Sequence, residues 1–291
     1  MSRARKVRLS WQASSPDTKV IVVKRFFHLP HMSIPYYQVD AFTSTLFAGN
    51  PAGVCLLAAW LPDAVLQSIA TENNLSETAF VVQRDSGFDL RWFTPTLEVD
   101  LCGHATLAPA HVIFRHLGYR DAVVRFQTRA GELTVTRADD LLTLNFPARP
   151  AVACSTPVAL REGLGLSPTT TAKSRDYLAV FESERAVREL RPDMAALMQL
   201  DCLGIIATAP GDDCDFVSRF FAPRAGVPED PVTGSAHCTL IPYWAERLGR
   251  PRLSALQVSR RGGELFCEHR GERVGIAGRA VTYSSGFLHL S

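Results

Sequence analysis

The sequence is poor in the residues that build metal centres and cross-links: 7 cysteines among 291 residues, an odd number, with none in a CxxC pair. That pattern supplies neither a zinc site nor a disulfide framework, so reduced thiols and no bound metal are expected. There is no GxGxxG, no phosphate-loop lysine motif, no HExxH and no GxSxG. Their absence removes the support for dinucleotide-dependent redox chemistry, phosphoryl transfer, zinc peptidase chemistry and serine hydrolysis, and no cofactor is expected. The longest nearly uncharged apolar run, Ala52 to Leu61, stops far short of the roughly 20 residues that cross a bilayer. No signal peptide with a continuous apolar centre is visible, and a cytoplasmic protein is expected. Nor is there a charge bias in the body of the chain. Residues 1–33 hold seven Lys/Arg against one acid; removing them from 31 basic and 29 acidic residues leaves 24 against 28, a net of −4. Nucleic acid is a poor partner for such a surface.

What the chain does have is an ordinary globular composition, 46% apolar and 21% charged. Residues 1–33 have no clear apolar period and are set aside as an N-terminal extension, with Met32 a candidate start. From Tyr36 the pattern reads as strand (36–42), a Gly49-Asn50-Pro51 turn, and a second strand through 54–57. A helix follows from Pro62-Asp63 to Asn73-Asn74, then strands over 78–82 and 89–93. A further helix is expected over 103–117, strands over 122–128, 132–136 and 141–146, then strands near 177–181 and 204–208 with helical stretches near 194–200 and 234–248. The fold class is α+β, with strands outnumbering helices.

The two halves repeat a specific segment. Arg91-Trp92-Phe93-Thr94-Pro95 is similar to Arg219-Phe220-Phe221-Ala222-Pro223, Gly103-His104-Ala105 to Gly234-Ser235-Ala236, and Leu117-Gly118 to Leu248-Gly249. The spacing between the glycines is 118 − 103 = 15 and 249 − 234 = 15. Three anchors in one order with one helix length indicate duplication of an α+β unit, and two equivalent helices should face a shared site. A helix opening on glycine offers free N–H groups and the positive end of its dipole, with room for a ligand to approach the backbone. Two such starts would hold a small carboxylate.

Three side chains are candidate proton handlers. Glu77 heads an apolar strand, Asp230 stands before a proline ahead of the second glycine, and His104 is the second residue of the first helix turn. Each taken alone has a plain structural explanation: a strand-end charge, a turn acid, a helix-start histidine. Cys102 is most simply a small buried residue, though a role as a base stays open.

Taken in order, Gln38-Val39-Asp40-Ala41-Phe42, the segment Ala48 to Val54, Leu75 to Phe80, Asp100 to Ala108 and Glu229 to Ala236 resemble the phenazine-biosynthesis PhzF-like isomerase family, relatives in fold of diaminopimelate epimerase. The resemblance runs from Tyr36 to near the C-terminus. It implies two pseudo-symmetric half-barrels, each a curved, mostly antiparallel sheet around a central helix. The division expected is 34–148, joined by a C-terminal strand 280–291, and 149–279, in a protein that forms a homodimer. Residue by residue, it implies Glu77 as the catalytic glutamate with His104 and Asp230 as polar partners. The backbone of Gly103, Gly234, Ser235 and Ala236 would then grip the substrate carboxylate, with Ser76 a further substrate-binding residue. The reaction implied is a cofactor-free shift of a proton between carbons of a small carboxylic acid. The epimerase relatives place a cysteine before each turn glycine; here Cys102 fits the first position but Thr233 fills the second, which disfavours a two-thiol mechanism. An epimerase working through Cys102, or a catalytically silent scaffold of the same fold, remain the alternatives.

Overall fold

The architecture is taken from a computed structural model that describes residues 32–290. The N-terminal extension therefore falls outside the described residues, except that the first strand already begins at Met32 and takes in its last two positions.

The first series of elements is β1 (Met32–Ala41), β2 (Asn50–Leu57), α1 (Asp63–Asn73), β3 (Glu77–Arg84), β4 (Gly87–Phe93), β5 (Glu98–Val99), α2 (His104–His116), β6 (Val123–Thr128), β7 (Gly131–Ala138), β8 (Leu141–Pro147) and β9 (Val152–Ala153). The second is α3 (Val158–Leu164), β10 (Thr170–Lys173), β11 (Tyr177–Val180), α4 (Glu184–Glu189), α5 (Met194–Leu197), β12 (Ile205–Pro210), β13 (Phe216–Ala222), β14 (Val227–Asp230), α6 (Gly234–Leu248), β15 (Arg252–Gln257), β16 (Gly263–Arg270), β17 (Arg273–Gly278) and β18 (Ala280–Leu290).

Strand pairing repeats between the series. β2 lies parallel to β3, β3 antiparallel to β4, β4 parallel to β6, and β6, β7 and β8 follow as antiparallel neighbours. β11 to β12, β12 to β13, β13 to β15, and β15, β16 and β17 have the same directions in the same order. The series join where β8 pairs antiparallel with β17, and β18 returns to pair with β1 along its whole length.

Each series of strands wraps one helix. The faces of α2 are buried from His104 through Ala110 and again at Val112 to Phe114, which is the signature of a helix enclosed on all sides. It packs against β1, β2, β3, β8 and β18, while α6 packs against β15, β16 and β17. The largest apolar core contains residues of both helices and both series, including Trp92, Leu107, Phe146, Phe216, Leu240 and Trp244.

One further pair of interactions matches across the series. Arg91 grips Glu98 with two hydrogen bonds, of 2.7 and 2.8 Å, and Arg219 grips Glu229 with two, of 2.7 and 3.0 Å. Both side-on forks tie β4 or β13 to the short strand before the central helix, so the turn carrying each glycine is anchored in the same way. The helix expected over 194–200 is shorter, ending at Leu197 as a single turn capped by Asp193. No helix among the described residues is long and apolar enough to cross a membrane.

Candidate active site

The two central helices meet at their first turns. A Cβ on Gly103 would stand 3.0 Å from the Gly234 Cα, and a Cβ on Gly234 3.1 Å from the Gly103 Cα. Glycine is required here because the two backbones pack against each other with no room for a side chain. A ligand consequently cannot fit between the two α-carbons; it can lie only across the rims of the two helix starts, where no side chain caps either first turn.

The proton handlers gather at this contact. His104 follows Gly103 directly, and its Nε2 is 2.9 Å from Glu77 Oε2. β3 opens at Glu77 and pairs in parallel with β2, whose first residue is Asn50. The Asn50 Nδ2 donates to Asp230 Oδ1 at 2.7 Å and to the Val232 carbonyl at 2.9 Å, and sits 3.1 Å from His104 Nδ1. Thr233 Oγ1 donates to Asp230 Oδ2 at 2.5 Å, and Gln257 Nε2 donates to the Asp230 carbonyl at 2.8 Å while its Oε1 accepts from Thr233 N at 2.8 Å. Asn50 is held in turn by Gly49, whose φ of +64° and close approach to the Ala41 carbonyl exclude other residues. Arg261 fastens that loop, donating to the carbonyls of Ala48 and Gly49 and to the buried Asp40.

Three polar atoms in this cluster are buried without a hydrogen-bond partner: Asn50 Oδ1, Glu77 Oε2 and His104 Nε2. Glu77 and His104 are close enough to attract, yet the ring N–H does not aim at the oxygen. Unpaired buried polar atoms are costly, and three of them together make this cluster the candidate site for a polar ligand.

Electrostatics follow from burial. Burial pushes the Asp230 carboxyl up to about 6; the neighbouring His104 and the hydrogen bonds from Thr233 and Asn50 pull the other way. For His104 burial alone would lower the pKa, but Cys102 and Glu77 beside the ring outweigh it and raise the imidazole well above its usual value. Cys102 is itself pushed up to about 11 by burial and by Glu77, so it is a thiol at neutral pH. Glu77, Cys102 and His104 offer atoms within 4.8 Å of one another. The ring faces Glu77 with Nε2 and lies 3.5 Å from Cys102 Sγ with Nδ1, so the three form a chain across the imidazole and not a cage around one ion.

The structure thus brings Glu77, His104, Asp230, Gly103 and Gly234 to one place. Ser235 and Ala236 occupy the first turn of α6, with Ser235 Oγ accepting a hydrogen bond from Arg175 Nη2 at 3.1 Å. Ser76, one residue ahead of β3, is partly buried and has no side-chain partner among the described residues. Sequence reasoning missed Asn50, Gln257 and Arg175. Asn50 was legible only as a turn residue beside Gly49, and nothing in the spacing of Gln257 or Arg175 connects them to the site.

The register explains why the site is one-sided. Thr78 pairs with Phe93 and Ile205 with Phe221, so Gly204 stands where Glu77 stands in the first series. Val99 likewise corresponds to Asp230, each four residues before its glycine, and Ser235 to His104.

Comparison with known proteins gives the family of the chain. A sequence model described as phenazine biosynthesis-like protein matches residues 39–286. An uncharacterised isomerase of Pseudomonas aeruginosa is 55% identical over 89% of this chain and 100% of its own length. A second, from Halalkalibacterium halodurans, is 45% identical over 86% of this chain and 97% of its own. The crystal structure of a PhzF-family phenazine biosynthesis protein from Enterococcus faecalis superposes with a TM-score of 0.88 at 46% identity, covering 89% of this chain and all of the other. With its strand order, paired central helices and matched length, the chain belongs to the phenazine biosynthesis-like family of isomerases.

Proposed function

We propose that the protein is a cofactor-independent isomerase that moves a proton between carbons of a small carboxylic acid, with Glu77 as the acid/base. The observation that carries this reading is the trio of buried, unpartnered atoms, Asn50 Oδ1, Glu77 Oε2 and His104 Nε2, beside two uncapped helix starts in backbone contact. The substrate carboxylate accepts from the N–H groups at the rims of α2 and α6, and the positive ends of the two dipoles favour its charge. This fixes the acidic C–H near Glu77, which removes the proton and returns it to another carbon. The protonated His104 steadies the charge that develops, and Asp230, aligned by Asn50 and Thr233, orients a polar group of the substrate.

The epimerase alternative would use Cys102 as a base. A thiol held up to about 11 is a poor base at neutral pH, and Thr233 offers no second thiolate. The same reading assigns work as a homodimer in the cytoplasm, supported by the seven free cysteines and by the exposed Phe47, Tyr283 and Phe287. The test is proton NMR in D2O with a panel of small carboxylic acids. The protein should exchange a carbon-bound proton of an accepted acid for deuterium; no exchange across the panel would favour a scaffold.

A further inference from the structure

Arg175 lies in the tight turn between β10 and β11 and has no place in the proton chemistry above. Its Nε is 3.2 Å from both oxygens of Asp176, and its Nη2 donates to Asp176 Oδ2 at 2.7 Å and to Ser235 Oγ at 3.1 Å. Asp176 is almost completely buried, and its Oδ1 also accepts from Gly204 N, so the carboxylate is a fixed anchor. The guanidinium is therefore locked in place next to the first turn of α6, on the second-series side of the Gly103–Gly234 contact.

A cation at that position opposes the positive end of the helix dipole. Asp176 neutralises it as an ion but leaves donors unused. A guanidinium has five N–H groups; Nε and the two on Nη2 are taken, and the two on Nη1 have no partner among the described residues. The side chain is about a third exposed, so these donors are reachable. By donating to Ser235 Oγ, Arg175 also sets that hydroxyl as an acceptor on one side, which frees its own proton for a ligand. Two donors, one charged, thus stand side by side. Arg149 and Arg273 add to the same positive field, which Cys238 experiences one turn into α6. His104, buried and facing Glu77, lies just across the glycine contact in the adjoining site.

We propose that Arg175 and the hydroxyl of Ser235, whose backbone N–H stays with the first site, form a second anion subsite that selects substrates carrying a further acidic group besides the carboxylate held at the two helix starts. This rests on the carboxylate-binding reading above and narrows the substrate class to dianionic acids. Arg175 acts as a specificity residue, with no part in moving the proton.

The experiment compares dissociation constants, by NMR titration of the full chain, for probe pairs that differ only in a second carboxylate: propionate with succinate, and benzoate with phthalate. The wild type should bind the dicarboxylate of a pair about tenfold or more tighter. Arg175→Gln should bring that ratio close to one while leaving the monocarboxylate constant within about twofold, and Arg175→Lys should retain part of it. Because losing Arg175 strands the buried Asp176, an Arg175→Gln/Asp176→Asn double variant serves as the folded control and should behave like Arg175→Gln. Equal affinities in the wild type, or equal weakening of both probes in the variants, would overturn the second subsite while leaving the first carboxylate site standing. Failure of every monocarboxylate and dicarboxylate to bind the wild type would overturn the carboxylate-binding reading, and the second subsite with it.

Discussion

Asp230 pays for its position at the centre of the Asn50, Thr233 and Gln257 network with a carboxyl raised from 3.8 to about 6, chiefly through burial. The folded protein holds this proton more tightly than the unfolded chain does. The stabilisation this gives is fully present below about pH 4 and is lost as pH rises through 6. An asparagine keeps the shape and an oxygen for Asn50 without the buried charge. Asp230→Asn should therefore gain on the wild type between pH 4 and 7, by on the order of 3 kcal/mol less the weakened Thr233 bond. Urea unfolding at a series of pH values checks this, and a difference that does not grow with pH would count against it. At His104 burial also works against the charged form but is outweighed, because Cys102 and Glu77 beside the ring raise its pKa.

The glycine-led starts of α2 and α6 owe their identity to each other. Alanine ordinarily favours a helix over glycine by up to about 1 kcal/mol. At Gly103 its methyl would press on the backbone of Gly234 at 3.0 Å, so the helices must part. Gly103→Ala and Gly234→Ala should each cost about 1–3 kcal/mol in denaturant unfolding, and should lower deuterium exchange more than tenfold by spreading the donors at the rims. The paired arginine forks behind these turns make a second test at this scale. Arg219, mostly buried, also caps the carbonyls of Val187 and Leu190, and Arg219→Met should cost about 3 kcal/mol by stranding Glu229. Helices α1, α2 and α6 and the longer strands of the first series were legible in the sequence, because apolar period, glycine ends and the Arg-aromatic-Phe repeat are local signals, whereas the sequence raised no expectation of α3, α4, β13 or β15 to β17. The bounds of α1, with Asn74 left-handed at its end, follow from such a signal. The helix over 194–200 was overread, since Pro192 and Asp193 start it but the chain turns away after Leu197. Asn50 and Arg175 were beyond reach because their roles arise from partners 180 and 60 residues away.

At the scale of the molecule, the largest core is shared by both series, the β8–β17 pairing stitches them together, and β18 carries the C-terminus back onto β1 and α2. Heating should give a single cooperative transition in which calorimetric and van't Hoff enthalpies agree; two separable transitions would show that each half-barrel folds alone. The duplicated frame is symmetric in its pairings, while the chemistry sits in residues that replace apolar or blank counterparts: Glu77 against Gly204 and Asp230 against Val99. That asymmetry leads to one decisive measurement, solvent-deuterium incorporation into an accepted carboxylic acid by Glu77→Gln and Cys102→Ser side by side. Glu77→Gln should lose on the order of 100-fold or more of the exchange rate while Cys102→Ser keeps most of it; exchange at the wild-type rate in Glu77→Gln would contradict the assignment of Glu77 as the base.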